Sequence, residues 1–166
     1  MLMYGDELGM PQTEVPDERR RDMAGRDGAR TPMPWSGAAG GGFTRPGVEP
    51  WLPFGDLAAC NVEAQRDDPA STLTLCRDLI AARRERAELR AAPYTSLPAP
   101  EGVWAWRRGE RYATAVNLGS AEASVEGLSG RVILGTDRAR DGERVHGRLR
   151  LRPSEGVLLA LDADAG

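Results

Sequence analysis

Between Asp6 and Gly55 the chain runs for about fifty residues without a periodic apolar pattern. Pro11, Pro16, Pro32, Pro34, Pro46, Pro50 and Pro53 interrupt it, as does the run Gly40-Gly41-Gly42. Proline fixes φ and lacks an amide donor, so no helix or central strand passes through such spacing. A connection of that length is either disordered or functional. Trp35, Phe43, Trp51 and Phe54 lie inside it, in a chain with only four Trp, three Tyr and two Phe. Rings in that number need something to pack on, which argues for an ordered loop.

Periodicity returns beyond the loop. Asp68 is placed to cap a helix, and Pro69 fits the first helical position. Leu73, Cys76, Ile80, Arg83 and Ala87 then recur at steps of three and four, with Leu75, Leu79, Ala82 and Leu89 widening the stripe. Pro93 stops the pattern, so the sequence predicts one amphipathic helix of about 22 residues over 69–90. Past Pro98 and Pro100 the period changes to two. Strands are predicted at 102–107, 111–118, 122–126, 131–135, 148–152 and 156–161, separated by Gly-containing turns. Six short strands at this spacing read as an antiparallel sandwich. Residues 1–4 read as the end of a further strand.

Composition closes several routes. The net charge is −3 and all 22 basic residues are Arg, so no basic surface dominates and nucleic acid is not an expected partner. No apolar run approaches the ~20 residues that span a bilayer, so no membrane association is expected. The first residues lack a basic segment followed by an apolar one, so a cytoplasmic location is expected. Cys60 and Cys76 form no Cys-x-x-Cys or Cys/His cluster. Neither a metal nor another cofactor is expected, and Cys76 reads as a buried free thiol. His146 sits in a polar stretch, and no Gly-x-Ser-x-Gly elbow accompanies it, which argues against a Ser-His-Asp hydrolase.

Three stretches together resemble the alpha-amylase superfamily of retaining glycoside hydrolases, in its alpha-glucosidase and oligo-1,6-glucosidase branch. They are Tyr4-Gly5-Asp6-Glu7-Leu8-Gly9-Met10; Arg26-Asp27-Gly28-Ala29-Arg30-Thr31-Pro32-Met33-Pro34-Trp35 with Trp51-Leu52-Pro53 downstream; and Asn61-Val62-Glu63-Ala64-Gln65 with Asp68-Pro69-Ala70-Ser71 and Leu79-Ile80-Ala81-Ala82-Arg83-Arg84. The resemblance implies an α+β fragment: the end of a (β/α)₈ barrel over 1–95, comprising strand eight, its long loop and helix eight, then an antiparallel all-β sandwich over 101–166. A complete barrel needs about 250 residues, so the chain would be the C-terminal part of such an enzyme.

The activity implied is on alpha-linked gluco-oligosaccharides, by two carboxylates about 5–5.5 Å apart. In the family the nucleophilic Asp, the acid/base Glu and a third Asp follow earlier strands, so no catalytic residue is expected in this chain and it should be inactive alone. Asp6 and Glu7, adjacent on an extended segment, point apart and would instead accept hydrogen bonds from loop backbone or from arginines such as Arg26. Arg30 is the substrate-binding candidate: the family's equivalent Arg holds the terminal glucose, which suits a fork of fixed donors. The structural alternative for Arg30 is a salt bridge with Asp27. Arg26 and Asp27 are expected to fix the loop, and the run Glu18-Arg19-Arg20-Arg21-Asp22 to be solvated. Trp35 is expected to pack under the loop, and Trp104 and Trp106 to pack in a core or between domains, with sugar stacking as the alternative for each. The other readings are a partner for the missing N-terminal barrel portion, or a stand-alone carbohydrate-binding sandwich.

Overall fold

A computed structural model describes residues 2–163, so Met1 of the predicted strand and the last three residues of 101–166 lie outside the described residues. The chain divides into two compact units, 1–76 and 77–166.

The first unit is ordered by single hydrogen bonds rather than ladders. It contains short 3-10 turns at Asp6–Leu8, Asp17–Arg19 and Asp27–Ala29 and one short helix, α1 (Val62–Gln65). Leu8, Val62 and Leu73 are its buried cluster, with Met10, Met33 and Cys60 packed against them. Leu2 to Tyr4 pair with no strand among the described residues; strand geometry persists only where a neighbour satisfies its backbone groups. The glycine run is explained by close approach. Gly40 has φ +81° and a Cβ there would stand 2.4 Å from the Thr44 carbonyl oxygen.

The predicted helix starts later and is broken. Helix α2 covers Thr72–Glu85 and α3 covers Ala87–Ala91. Ser71, not Asp68, is the cap: its hydroxyl oxygen accepts from the Thr74 N–H at 3.1 Å, and the Gln65 side-chain oxygen accepts from the Leu73 N–H at 3.1 Å. The Asp68 carboxylate is occupied by the Ala70 N–H at 2.8 Å, closing a turn that precedes the helix. Arg86 is extended (φ −106°, ψ 107°) and ends α2. The Ala82 carbonyl keeps the Arg86 N–H at 3.1 Å across the break, and the guanidiniums of Arg86 and Arg83 add bonds to the Ala82 and Leu89 carbonyls at 3.4 and 2.5 Å. Of the predicted stripe, Leu73, Ala82 and Leu89 are buried, whereas Leu79 and Ile80 remain 41% and 43% exposed.

The second unit is an antiparallel sandwich. Its strands are β1 (Tyr94–Ser96), β2 (Val103–Arg108), β3 (Tyr112–Asn117), β4 (Ala123–Glu126), β5 (Gly130–Gly135), β6 (Arg144–Val145), β7 (Arg148–Leu151) and β8 (Gly156–Leu161). The large sheet is ordered β1-β2-β3-β8-β5-β6, and β4 pairs with β7 in a second sheet. All six predicted strands are present; β1 and β6 were not foreseen. Between the sheets lie Ala105, Ala115, Val125, Val132, Leu149, Leu151 and Leu159 with others of one buried cluster. On β7 the leucines are buried and the arginines exposed. The outer face of the large sheet carries a second cluster, Leu134 and Leu158 with Ala82 and Leu89. A bulge at Ile133 sets Val132 opposite Leu159 and Leu134 opposite Leu158, which turns Val132 and Leu134 into different clusters. Ion pairs Arg138–Asp78 at 2.7 Å and Arg111–Glu88 at 2.5 Å add to the outer contact.

Trp104 departs from the expected burial. It is 54% exposed, tilted against Trp106 with centroids 4.6 Å apart, and its indole N–H donates to the Tyr94 hydroxyl at 2.9 Å. The inward position of β2 belongs to Ala105, which faces Ala115 in the register and leaves no room for an indole. Cys60 and Cys76 are both free and half-buried, and burial pushes both thiols up. His146 is exposed in the connection between β6 and β7, which lie in different sheets.

Candidate functional site

The third sequence stretch builds the frame of the site. Asn61 caps α1, accepting from the Ala64 N–H at 2.8 Å and donating to the Leu57 carbonyl at 2.8 Å. The backbone N–H groups of Val62 and Glu63 donate to the carbonyls of Pro34 and Trp35 at 2.9 and 3.1 Å. Gln65 reaches back to the Leu8 carbonyl at 2.9 Å. Segments far apart in sequence are thereby held around one cleft.

That cleft has a volume of about 490 Å³ and is lined by Tyr4, Glu7, Arg30, Trp35, Phe43 and Trp51, with Pro32, Met33 and Leu52 between them. Tyr4 donates to the Thr31 carbonyl at 3.1 Å, joining the first stretch to the second. Trp35 is 50% exposed and forms part of the wall, so it does not pack under the loop as expected. Its position follows from its backbone, whose N–H donates to the Gly41 carbonyl at 2.8 Å while its carbonyl holds Glu63.

Arg30 is positioned by two aspartates in different ways. Asp27 is buried, and its carboxylate accepts the backbone N–H groups of Arg21 at 2.6 Å and Asp22 at 2.9 Å. Those two amides hold the Asp27 carboxyl below the usual carboxylate range. They also fix Asp22, whose Oδ2 accepts from Arg30 at 3.3 Å. Asp22 takes two further bonds from Arg26, at 2.5 and 3.1 Å, and one from the Ala24 N–H at 3.0 Å. The Arg26 guanidinium, then the Ala24 amide, holds its carboxyl below the usual range. Asp22 is therefore ionised at neutral pH and shared by two arginines. Arg30 spends one of its five N–H donors there and lines the cleft. The alternative Arg30–Asp27 salt bridge is replaced by Arg30–Asp22.

Asp6 and Glu7 are tied to local backbone, accepting from the N–H groups of Met3 and Gly5 at 2.8 Å each. Arg26 pairs with Asp22 rather than with either of them. The run 18–22 is not simply solvated. Arg19 donates to the Pro50 carbonyl at 2.9 Å, and the Asp22 side chain is only 15% exposed. Phe43, which lines the cleft, and Asp22, which holds Arg30, were missed as site residues; the one local signal was Asp22 preceding Ala24-Gly25, a turn-forming pattern.

A model of the alpha-amylase catalytic domain matches residues 1–92. The loop and helix are the end of a (β/α)₈ barrel, and the sheets form the antiparallel sandwich that follows it. The chain belongs to the alpha-amylase family. It is 38% identical over 98 residues to trehalose-6-phosphate hydrolase of Escherichia coli, covering 56% of this chain and 17% of that protein. It is 30% identical over 141 residues to glucan 1,6-alpha-glucosidase of Streptococcus pneumoniae, covering 81% of this chain and 26% of that protein. The solved structure of the alpha-glucosyl transfer enzyme XgtA superposes with a TM-score of 0.76 at 32% identity, over 95% of this chain and 32% of that one. The chain thus spans between about a sixth and a third of the relatives it matches. No helix of the described residues is long and apolar enough to cross a membrane.

Proposed function

We propose that this chain is the C-terminal part of an alpha-glucosidase-type retaining glycoside hydrolase acting on alpha-linked gluco-oligosaccharides, with Arg30 holding the terminal glucose. The observation that carries the reading is the convergence of Tyr4, Arg30, Trp35 and Trp51, drawn from separate family stretches, on one cleft. The guanidinium offers fixed donors to vicinal hydroxyls, and the indoles offer flat apolar faces to the sugar ring. In this reading residues 1–95 are the barrel portion and 101–166 the sandwich. The nucleophile and acid/base come from earlier strands, so the chain alone does not turn over substrate. Glu7 is the one carboxylate among the residues lining the cleft, and its backbone bond to Gly5 supports a structural role. The free thiols of Cys60 and Cys76 support a reducing, cytoplasmic setting.

The test joins this chain to its preceding barrel strands and compares Arg30→Ala with the parent on maltose, isomaltose and a nitrophenyl alpha-glucoside. Loss of a charged hydrogen-bonding group should lower kcat/KM by roughly 10- to 150-fold. An unchanged kcat/KM rejects the role of Arg30, and turnover by the isolated chain rejects its inactivity. A second reading, in which the chain completes a barrel supplied by another polypeptide, is favoured by the exposed Leu79 and Ile80 of α2. An adjacent reading frame ending with the seventh strand, and co-purification of the two products, would decide for it.

A further inference from the structure

We infer that Trp51 carries the sugar unit following the terminal glucose, its indole separating the Arg30 cleft from a second groove beside it. The inference rests on the reading of Arg30 given above. Trp51 is 74% exposed, yet it is held in place. Arg19 donates to the carbonyls of Pro50 and Trp51 at 2.9 and 3.4 Å and pairs with Glu49 at 3.5 Å. The guanidinium of Arg21 lies 6.0 Å from the ring centroid. An exposed ring with a pinned backbone and a cation at its face is a surface prepared before any ligand arrives, which lowers the ordering cost of binding.

The indole also lines two spaces. One is the cleft of Arg30; the other is an open groove of about 520 Å³ formed with Arg19, Arg21, Glu49 and Pro50. Trp51 is the residue common to both linings. A pyranose has a C–H face and a rim of hydroxyls. The indole suits the first, and two guanidiniums with one carboxylate suit the second. The ligand class that uses both spaces is a neutral gluco-oligosaccharide of at least two units, with its second ring on Trp51.

Saturation-transfer NMR on the chain joined to its preceding barrel strands, with the nucleophilic Asp replaced by Asn so that the sugars stay intact, tests this, with methyl alpha-glucoside, maltose and isomaltose as probes. Both rings of the disaccharides should receive saturation. Trp51→Ala should reduce transfer to the second ring about tenfold, the scale of one stacking contact, and reduce transfer to the terminal ring less than to the second. Trp51→Phe should restore most of it, and Arg21→Gln should reduce it with the ring intact. A second ring that is silent in the parent, or unaffected by Trp51→Ala, overturns the inference. Arg30→Ala separates the two readings: it should silence the terminal ring and methyl alpha-glucoside. If it does not while Trp51→Ala acts as stated, the Arg30 reading fails and Trp51 stands. No saturation on any sugar overturns both.

Discussion

Replacing Ser71 with Ala tests how the family helix begins. The hydroxyl of Ser71 is 94% shielded as part of a residue only 6% exposed, and it makes two kinds of bond. Its oxygen accepts from the Thr74 N–H at 3.1 Å, and its proton goes to the Gln65 or Asp68 carbonyl, each at 2.8 Å. Losing a Ser cap destabilises by about 1 kcal/mol. The two carbonyls are not orphaned, since Gln65 keeps the Asp68 N–H at 3.3 Å and Asp68 keeps the Thr74 hydroxyl at 2.8 Å. No full desolvation penalty is added, so the total should be about 1–2 kcal/mol. Asp68→Ala loses one exposed bond to the Ala70 N–H, which water replaces, and should change stability by about 0.5 kcal/mol or less. For a chain of this length each kcal/mol shifts Tm by roughly 2–4 °C. Thermal unfolding followed by far-ultraviolet circular dichroism should therefore place Ser71→Ala about 2–8 °C below the parent, with Asp68→Ala within about 2 °C of it. An Asp68→Ala loss equal to or larger than that of Ser71→Ala would refute the assignment and return the start of the helix to residue 69.

Two further outcomes follow from burial and charge. Leu159 is fully buried at the centre of the sandwich, so Leu159→Ala should lower stability by about 2–5 kcal/mol, seen as a lower urea midpoint at unchanged slope. Leu118→Ala, at a position 72% exposed, should stay within about 0.5 kcal/mol, and equal effects at the two sites would sink the core assignment. Asp22 and Asp27 are both held below the usual carboxylate range in the folded chain. Their stabilisation is complete above the unfolded carboxylate pKa of about 4 and is lost as pH falls toward the lower folded values. Asp27→Asn should accordingly flatten the fall of the urea midpoint between about pH 5 and pH 3. An undiminished acid slope in the variant would show that Asp27 does not carry it.

What could be read in advance divides along the range of the interactions. β3 and β7 were legible because a strand with one drier face writes period two into its own sequence, as Arg148 to Leu151 shows. The site loop has no such period, since Asp27, Asn61 and Gln65 hold it by single bonds to backbone that leave no repeat to detect. Its family stretches could be recognised, but their mutual placement could not be derived from spacing. β1 was hidden because three exposed residues on an edge carry no burial pattern. The break at Arg86 was hidden because no Gly or Pro marks it, and the Arg86 N–H still reaches the Ala82 carbonyl at 3.1 Å across it. The same logic explains the partner of Arg30. Asp27 is nearer in sequence, but its carboxylate is spent on the amides of Arg21 and Asp22, and those bonds present Asp22 to the guanidinium instead. The charge that faces the cleft residue was therefore chosen by the backbone of the loop, at a separation of eight residues where no helical or strand spacing operates.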